Sequence, residues 1–341
     1  MGLRAYIIKR TINSFILLLF VLTINFAIFT LMPGNPIETL AASGRLRPGQ
    51  IDQVLELWGF AGPLHERFGR YIVNMLTWNF GYSFHTQTPV AYEMGGRLQN
   101  TLVLVGTSSI LAIIIGVLLG VVAAYKRGGL FDSAAVVVSL TTYALPSFWM
   151  GMIALMIFSF NLHWFPSQGS IPADWAARWP TPAWQGNIAG VQLAIPSLEE
   201  IAGRIHHLFL PMIVLTLFAY GGYLLLTRAT MLETLSEDYV ITARAKGLSE
   251  RTVLFKHALK NASLPIITNV ALTFAFLLTG AIITEQVFTY PGLGQWIWSS
   301  IAYADYPVMQ AIFYIIALCV IIANFAADLV YGLIDPRVKY A

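Results

Sequence analysis

Apolar positions along this chain fall into long runs, not short alternating segments. Six runs contain no Asp, Glu, Lys or Arg: Thr11–Ile37, Leu98–Tyr125, Ser133–Ala173 (apolar mainly to Phe160), Ile205–Thr227, Asn261–Thr284 and Tyr306–Ala327. Each is long enough for the roughly 20-residue helix that crosses a hydrocarbon core of about 30 Å, where only helices and closed barrels satisfy their own backbone. None shows the roughly ten-residue alternating pattern of a barrel strand. The pattern predicts an all-α polytopic membrane protein with six transmembrane helices. The first run ends in Met32-Pro33-Gly34-Asn35-Pro36 rather than a small-residue cleavage site, so it is read as a span and not as a signal peptide.

Composition agrees and excludes a class. The 341 residues are 57% apolar and 11% charged, against roughly 25% charged in a soluble domain. A single chain of this size cannot build a core large enough to hide that excess, which rules out an ordinary water-soluble enzyme. The net charge of +3 is too small to argue for nucleic acid; its placement says more. With the N-terminus inside, the inside segments hold Arg4, Lys9, Arg10, Lys126, Arg127, Arg228, Arg244, Lys246, Arg251, Lys256, Lys260, Arg337 and Lys339. The longer outside segments hold only Arg45, Arg47, Arg67, Arg70, Arg97, Arg178 and Arg204. The positive-inside rule therefore predicts cytoplasmic N- and C-termini. The single cysteine, Cys319, lies in an apolar run and offers neither a disulfide framework nor a thiolate metal cluster.

These runs divide the chain into 1–32 (N-terminus and first span), 33–97 (an external cap), 98–160 (spans two and three), 161–207 (an external lobe), 208–335 (spans four to six, with an inside loop at 228–260) and the tail 336–341. The cap mixes Pro, Gly and charge with amphipathic stretches at Ile51–Phe60 and Arg67–Leu76 and reads as small helices. The lobe carries Pro166, Pro172, Pro180, Pro182 and Pro196 among Trp164, Trp175, Trp179 and Trp184, a proline density that prevents long helices and predicts an irregular ordered segment. A third external loop, 286–305, holds Trp296 and Trp298.

The inside loop is unlike a passive connector. It reads Glu237-Asp238-Tyr239-Val240-Ile241-Thr242-Ala243-Arg244-Ala245-Lys246-Gly247-Leu248-Ser249-Glu250. Acids first and bases later suit a helix dipole. Gly247 stands where a left-handed C-terminal turn would close the helix, and Ser249 stands where a second helix over Glu250–Asn261 would be capped. The prediction is a helix–turn–helix knob at the membrane surface. On chemistry alone, an amphipathic hairpin resting on anionic headgroups accounts for it equally well.

Further motifs favour a more specific reading. Asp238-Tyr239 with Thr242-Ala243-Arg244-Ala245-Lys246-Gly247-Leu248, then His257-Ala258-Leu259-Lys260-Asn261-Ala262 and Leu264-Pro265, resembles the "EAA" coupling loop of ABC importer permeases. It is most similar to the dipeptide/oligopeptide/nickel family, first-permease type, with Thr242 in place of the leading Glu. Tyr6–Arg10, Met32–Pro36, Gly81-Tyr82-Ser83, Arg97 with Asn100-Thr101-Leu102, Glu285 with Val287-Phe288 and Pro291-Gly292-Leu293-Gly294, Asp305-Tyr306-Pro307, Asp328 with Tyr331, and Asp335-Pro336-Arg337 extend the resemblance over nearly the whole chain. The lobe looks longer and richer in Trp than in typical peptide permeases, and Ala61-Gly62 replaces an acidic residue usual before Pro63.

The resemblance implies a type I ABC importer permease fold and half of a translocation pore for short peptides. The other half would come from a homologous permease, with two cytoplasmic ATP-binding subunits carrying ATP and magnesium and an external solute-binding protein delivering substrate. No Gly-x4-Gly-Lys-Ser/Thr phosphate loop is present, so this chain is expected to hold no cofactor and to be no enzyme. The expected ATPase-coupling residues are Asp238, Tyr239, Ala243, Arg244, Ala245, Lys246, Gly247, Leu248 and His257. The spans lack charge, with Glu285 and Asp328 at span ends close to water, so neutral groups are the candidates for a substrate path: Ser108, Ser109, Thr141, Thr142, Tyr143, Ser147 and Asn269. Taken residue by residue, ordinary interhelical polar contact is the commoner role for each of these. Trp175, Trp179, Trp184 and Trp296 are candidates for binding-protein docking, with lobe packing or a bilayer belt as the plainer role. The adjacent His206 and His207 point about 100° apart on a helix and suit one metal poorly, so no metal site is expected. Oligosaccharide or nickel import and a stand-alone channel remain as alternatives. An intramembrane enzyme lacks its paired acids or nucleophile–base motif.

Overall fold

Backbone amides find no water inside hydrocarbon, and the long apolar runs fold as helices that satisfy them internally. The computed structural model describes residues 3–31, 62–176, 180–188 and 191–334. Its elements are α1 (Leu3–Leu31), α2 (Leu64–Leu76), α3 (Val90–Tyr125), α4 (Leu130–Ala144), α5 (Ser147–Ala154), β1 (Trp184–Ile188), β2 (Val191–Ile195), α6 (Leu198–Leu235), α7 (Asp238–Ala245), α8 (Glu250–Thr252), α9 (Leu259–Gly280), α10 (Ile282–Val287), α11 (Leu293–Ala302) and α12 (Tyr306–Ile334). A π-helical turn over Leu155–Asn161 extends α5, and another over Val253–Ala258 joins α8 to α9. Met32–Pro36, the amphipathic Ile51–Phe60 and Asp335–Arg337 lie outside the described residues.

Among the described residues four helices are long and apolar enough to cross a membrane: Ile7–Leu31, Val90–Tyr125, Leu198–Leu235 and Tyr306–Ala326. They coincide with predicted spans one, two, four and six. Predicted span five coincides with α9. Predicted span three is not one continuous helix: α4 and the α5 segment meet at an angle of 98°. The break has a local cause. Pro146 disfavours the helical conformation in the residue before it, and Leu145 is extended (φ −78°, ψ 133°), so α4 ends there and α5 restarts on Pro146. The two longest helices, α3 with 36 residues and α6 with 38, run to about 54–57 Å at 1.5 Å per residue. Both therefore outreach the hydrocarbon.

The chain forms two compact units. One comprises Asn100–Val270 and Ile283–Pro291. Its framework is α3, α6 and α4, held at glycines. A Cβ at Gly116 would stand 2.6 Å from the Tyr220 carbonyl oxygen, and one at Gly120 would stand 2.7 Å from Thr227 Cβ. Gly221 on α6 approaches α4 as closely, 2.7 Å from the Ser139 carbonyl oxygen. Gly116 and Gly120 lie four residues apart on one face of α3, the spacing that brings helix backbones together in lipid. Ser197 caps α6 through the Glu200 amide (3.2 Å), with Glu199 and Glu200 in its first turn. Asn100 Nδ2 donates to the Pro291 carbonyl (3.0 Å), and the Thr101 hydroxyl donates to Glu285 (2.7 Å). Glu285 is 0% exposed, which corrects the expectation that it lies close to water. It is a buried acceptor joining the start of this unit's α3 to α10.

The described part of the expected 161–207 lobe is irregular up to Ser197, with one short addition to the all-helical class: β1 and β2 pair antiparallel from Trp184↔Ile195 to Ile188↔Val191. Its last residues, Leu198–His207, belong instead to α6. The lobe is tied down on α6. His206 Nε2 bonds the Trp164 carbonyl (2.8 Å), and His207 Nδ1 bonds the Gln168 carbonyl (3.0 Å). Gly203 leaves room for the Trp175 ring, whose nearest atom would stand 2.6 Å from any added Cβ.

The other unit comprises Met1–Gln99, Ala271–Ile282 and Gly292–Ala341. Leu22, Met75, Met94, Leu293, Ile312 and Ile315 pack in one buried cluster drawn from α1, α2, α3, α11 and α12. The buried Asn25 on α1 donates to the Tyr71 hydroxyl on α2 (2.9 Å) and to the Gln310 carbonyl on α12 (3.0 Å). Arg10 pairs with Asp328 at 2.9 Å. The buried Asp305, just before α12, accepts the Ser83 hydroxyl (2.5 Å) and the amides of Phe84 (3.0 Å) and His85 (3.2 Å).

The Gly120 contact makes a direct prediction. Gly120→Val lowers the thermal midpoint of the detergent-solubilised protein by several degrees, the scale of about 1–3 kcal/mol for overpacking. Gly222→Ala, where an added Cβ meets nothing within 4 Å, does not lower the midpoint, since alanine favours the helix over glycine. Thermal unfolding followed by fluorescence measures both.

Candidate coupling site

The helix–turn–helix expected over 237–261 forms, except that its second helix does not end at Asn261 but runs on through the π-helical turn into α9. Helix α7 opens on Glu237, with Asp238 in its first turn and Arg244 in its last. It closes in a Schellman turn: Gly247 sits at φ +73°, its amide bonds the Arg244 carbonyl (2.9 Å), and the Leu248 amide bonds the Ala243 carbonyl (3.4 Å). Gly247 is thus required by backbone conformation. Ser249 then caps the next helix, its side chain accepting from the Thr252 amide at 3.4 Å. Arg244 reaches across the turn to Glu250 at 3.0 Å. The pair is half exposed and so contributes little stability, but it holds the two knob helices together and orients the Arg244 guanidinium.

The knob is seated on the long helices. Val240 and Ala243 are buried with Val121 and Ala124 of α3, Met231 of α6, and Val253, Leu254, Ala258 and Ala262. Ala243 therefore serves the knob's own core rather than its surface. Asp238, Tyr239, Arg244, Ala245, Lys246, Gly247 and Leu248 remain exposed, and His257 is half-buried in the π turn. Two residues outside the expected coupling set share this surface: Ile241, 56% exposed, and Phe255, 40% exposed. An apolar residue set among the charged residues of the loop was the signal available for both. Together the exposed residues form a mixed apolar and basic face on a rigid mount.

The other candidates divide. Ser108 is buried, its hydroxyl turned back to the Leu104 carbonyl (2.7 Å) and its own carbonyl receiving the Thr216 hydroxyl (3.2 Å), so it serves α3–α6 packing. Ser109 is also buried. Thr141, Thr142, Tyr143 and Ser147 flank the Leu145–Pro146 break, with Tyr143 exposed and stacked near Phe218 at 6.2 Å. Asn269 is exposed on α9. Among the tryptophans, Trp175 is buried in the lobe and Trp296 is buried under the Arg97 guanidinium (4.7 Å). Trp184 keeps an exposed ring, and Trp179 lies outside the described residues.

Comparison with known proteins identifies this architecture. Residues 116–340 match the family profile for the binding-protein-dependent transport system inner membrane component, and residues 3–105 match the N-terminal profile of the same systems. The chain belongs to this permease family. Similar proteins include the di/tripeptide transport system permease protein DppB of Pseudomonas aeruginosa, 38% identical over 93% of each chain. The oligopeptide transport system permease protein AppB of Bacillus subtilis is 36% identical over 98% of this permease and 99% of its own length. The dipeptide transport system permease protein DppB of Escherichia coli is 35% identical over 93% of both. Among solved structures, the MetNI methionine ABC transporter in inward-facing conformations shares the fold, with a TM-score of 0.53 and 16% identity over 72% of this permease and 98% of that chain. The permease is therefore a multi-pass inner membrane protein of ABC importer fold.

The two alanines of the permease's α7 make opposite predictions. Ala243→Leu overpacks the seat and raises protease cleavage within 238–250, at a cost of about 1–3 kcal/mol. Ala245→Leu, on the exposed face, leaves cleavage unchanged. Limited proteolysis of the purified permease separates them.

Proposed function

We propose that this permease forms half of the pore of an ATP-driven importer for short peptides and that the 236–261 knob is its ATPase contact. The carrying observation is the knob's construction. A charged and apolar exposed face stands on a core shared with α3 and α6, so a force applied to the face is delivered to two membrane-crossing helices. A lipid-resting hairpin needs no such mount. In this reading six spans, with α4 and α5 as the broken third, leave both termini cytoplasmic, in keeping with the basic residues concentrated on that side.

A homologous permease supplies the second half of the pore, and two ATP-binding subunits carry ATP and magnesium. A solute-binding protein meets the 33–97 cap, the 161–207 lobe, where Trp184 is exposed, and the 286–305 loop. Asp238, Tyr239, Arg244, Ala245, Lys246, Gly247 and Leu248 contact the ATPase, joined by Ile241 and Phe255, while Ala243 and His257 hold the shape. Closure of the ATP-binding pair shifts the knob and biases a two-state gate. The Thr142, Tyr143 and Ser147 group at the helix break, with Asn269, is the neutral lining offered to substrate. The names of the relatives favour peptides over oligosaccharides or nickel, and calorimetry of the partner binding protein with each class decides among them.

Gly247→Arg tests the knob. It strains the left-handed turn and adds bulk and charge at the contact face. In the reconstituted complex, stimulation of ATP hydrolysis by the loaded binding protein falls toward the basal rate. Unchanged stimulation would remove the coupling assignment, and ATP-binding subunits that fail to co-purify with the intact permease would favour a stand-alone channel.

A further inference from the structure

One charge pair, a buried carboxylate under a part-exposed guanidinium, lies outside everything assigned so far. Asp132, in the first turn of α4, is 4% exposed. It receives Arg228 of α6 through Nε at 2.5 Å and Nη2 at 2.8 Å, and the Gly128 amide at 3.0 Å. Such a fork-on-carboxylate pair fixes direction and distance as well as charge. Stability alone explains it poorly. Desolvation of the carboxylate offsets much of the attraction, the part-exposed guanidinium is screened by solvent, and well-packed apolar residues of similar size hold a fold as well.

Its position suggests another purpose. Arg228 is three residues, less than one helical turn, before Met231, which is fully buried in the cluster that seats the knob. Asp132 lies in the first turn of the helix that ends at the Leu145–Pro146 break beside Tyr143 and Ser147. Between these points α4 and α6 touch through Gly221 against the Ser139 backbone, through Ala135 packed on the Tyr220–Leu224 cluster, and through Tyr143 stacked near Phe218. The bidentate pair adds a directional, fixed-distance link between the two helices at the end nearest the knob. We infer that Asp132 and Arg228 are positioning residues that transmit displacement of the knob from α6 to α4 and so to the helix break. This rests on the coupling role proposed above.

The test uses the complete importer in lipid vesicles: this permease, its partner permease, the ATP-binding subunits and the binding protein as purified with its retained ligand. The readout is stimulation of ATP hydrolysis by the binding protein over the basal rate, alongside the thermal midpoint of the complex. Asp132→Asn and Arg228→Lys, which keep shape or charge but lose the fork, reduce the stimulation ratio roughly 2- to 30-fold, the range of coupling effects along such networks. The double variant Asp132→Leu with Arg228→Met restores the midpoint through apolar packing but not the stimulation. A double variant that stimulates like the natural protein, or single variants that lower the midpoint with the ratio intact, would overturn the inference and leave a structural brace. Gly247→Arg, assayed alongside, separates the two claims. If it also leaves stimulation intact, the knob reading fails; if it alone abolishes stimulation, only the Asp132–Arg228 link fails.

Discussion

The close approach of α3 and α6 at Gly116 and Gly120 is the constraint on which the functional half of this permease depends. Lipid tails are as apolar as leucine, so no hydrophobic force drives two such helices together within a membrane. Contact must come from backbones near enough for dispersion to accumulate, and here the carbonyls of Tyr220 and Leu224 stand where a Cβ on α3 would be. With α3 and α6 joined, their ends offer one platform, and Val121, Ala124 and Met231 on it receive Val240 and Ala243 of the knob. The same long α6 anchors the lobe through His206 and His207 near its start. One helix therefore carries two of the proposed partner-binding regions, the knob and the lobe.

Polar residues do a different task. Asp132, Asp305 and Glu285 are each buried, and each accepts bonds from segments distant in the chain: Arg228, the Ser83–His85 turn and Thr101. Leaving a buried donor or acceptor without its partner costs about 1–3 kcal/mol, so these contacts fix which segments meet far more selectively than apolar packing does. They also give physical content to motifs noticed first as strings. Gly81-Tyr82-Ser83 and Asp305-Tyr306-Pro307 are two sides of one contact, as are Asn100-Thr101 and the Glu285–Pro291 stretch.

Much of this was legible in the residues. Charge-free runs marked the membrane helices, and Gly247 and Ser249 marked the knob's turn and cap, because both signals are local in sequence and strong in energy. The break at Leu145–Pro146 was equally local, yet a charge-free run hid it: hydropathy records depth in a membrane, not helix continuity. Burial of Glu285 and the Asp132–Arg228 pair was not legible, since each depends on which helices become neighbours. Position at the end of an apolar run says only that water is near along the chain, while Thr101 and Arg228 arrive from elsewhere. Ala243 looked like a surface contact for the same reason. Smallness permits close approach from a partner or from the knob's own core, and the fold uses it for the core.

The central claim is that the knob's exposed face is where energy from ATP enters this permease, and site-directed cross-linking addresses it most directly. Cys319 is the only cysteine, so Cys319→Ser gives a clean background for single cysteines at Tyr239 and Lys246 on the knob and at the exposed Leu198 as a control. In the assembled complex, the account predicts cross-links from Tyr239→Cys and Lys246→Cys to an ATP-binding subunit, altered in yield by nucleotide, and none from Leu198→Cys. Knob positions that capture only lipid, or cross-links unaffected by ATP, would contradict it.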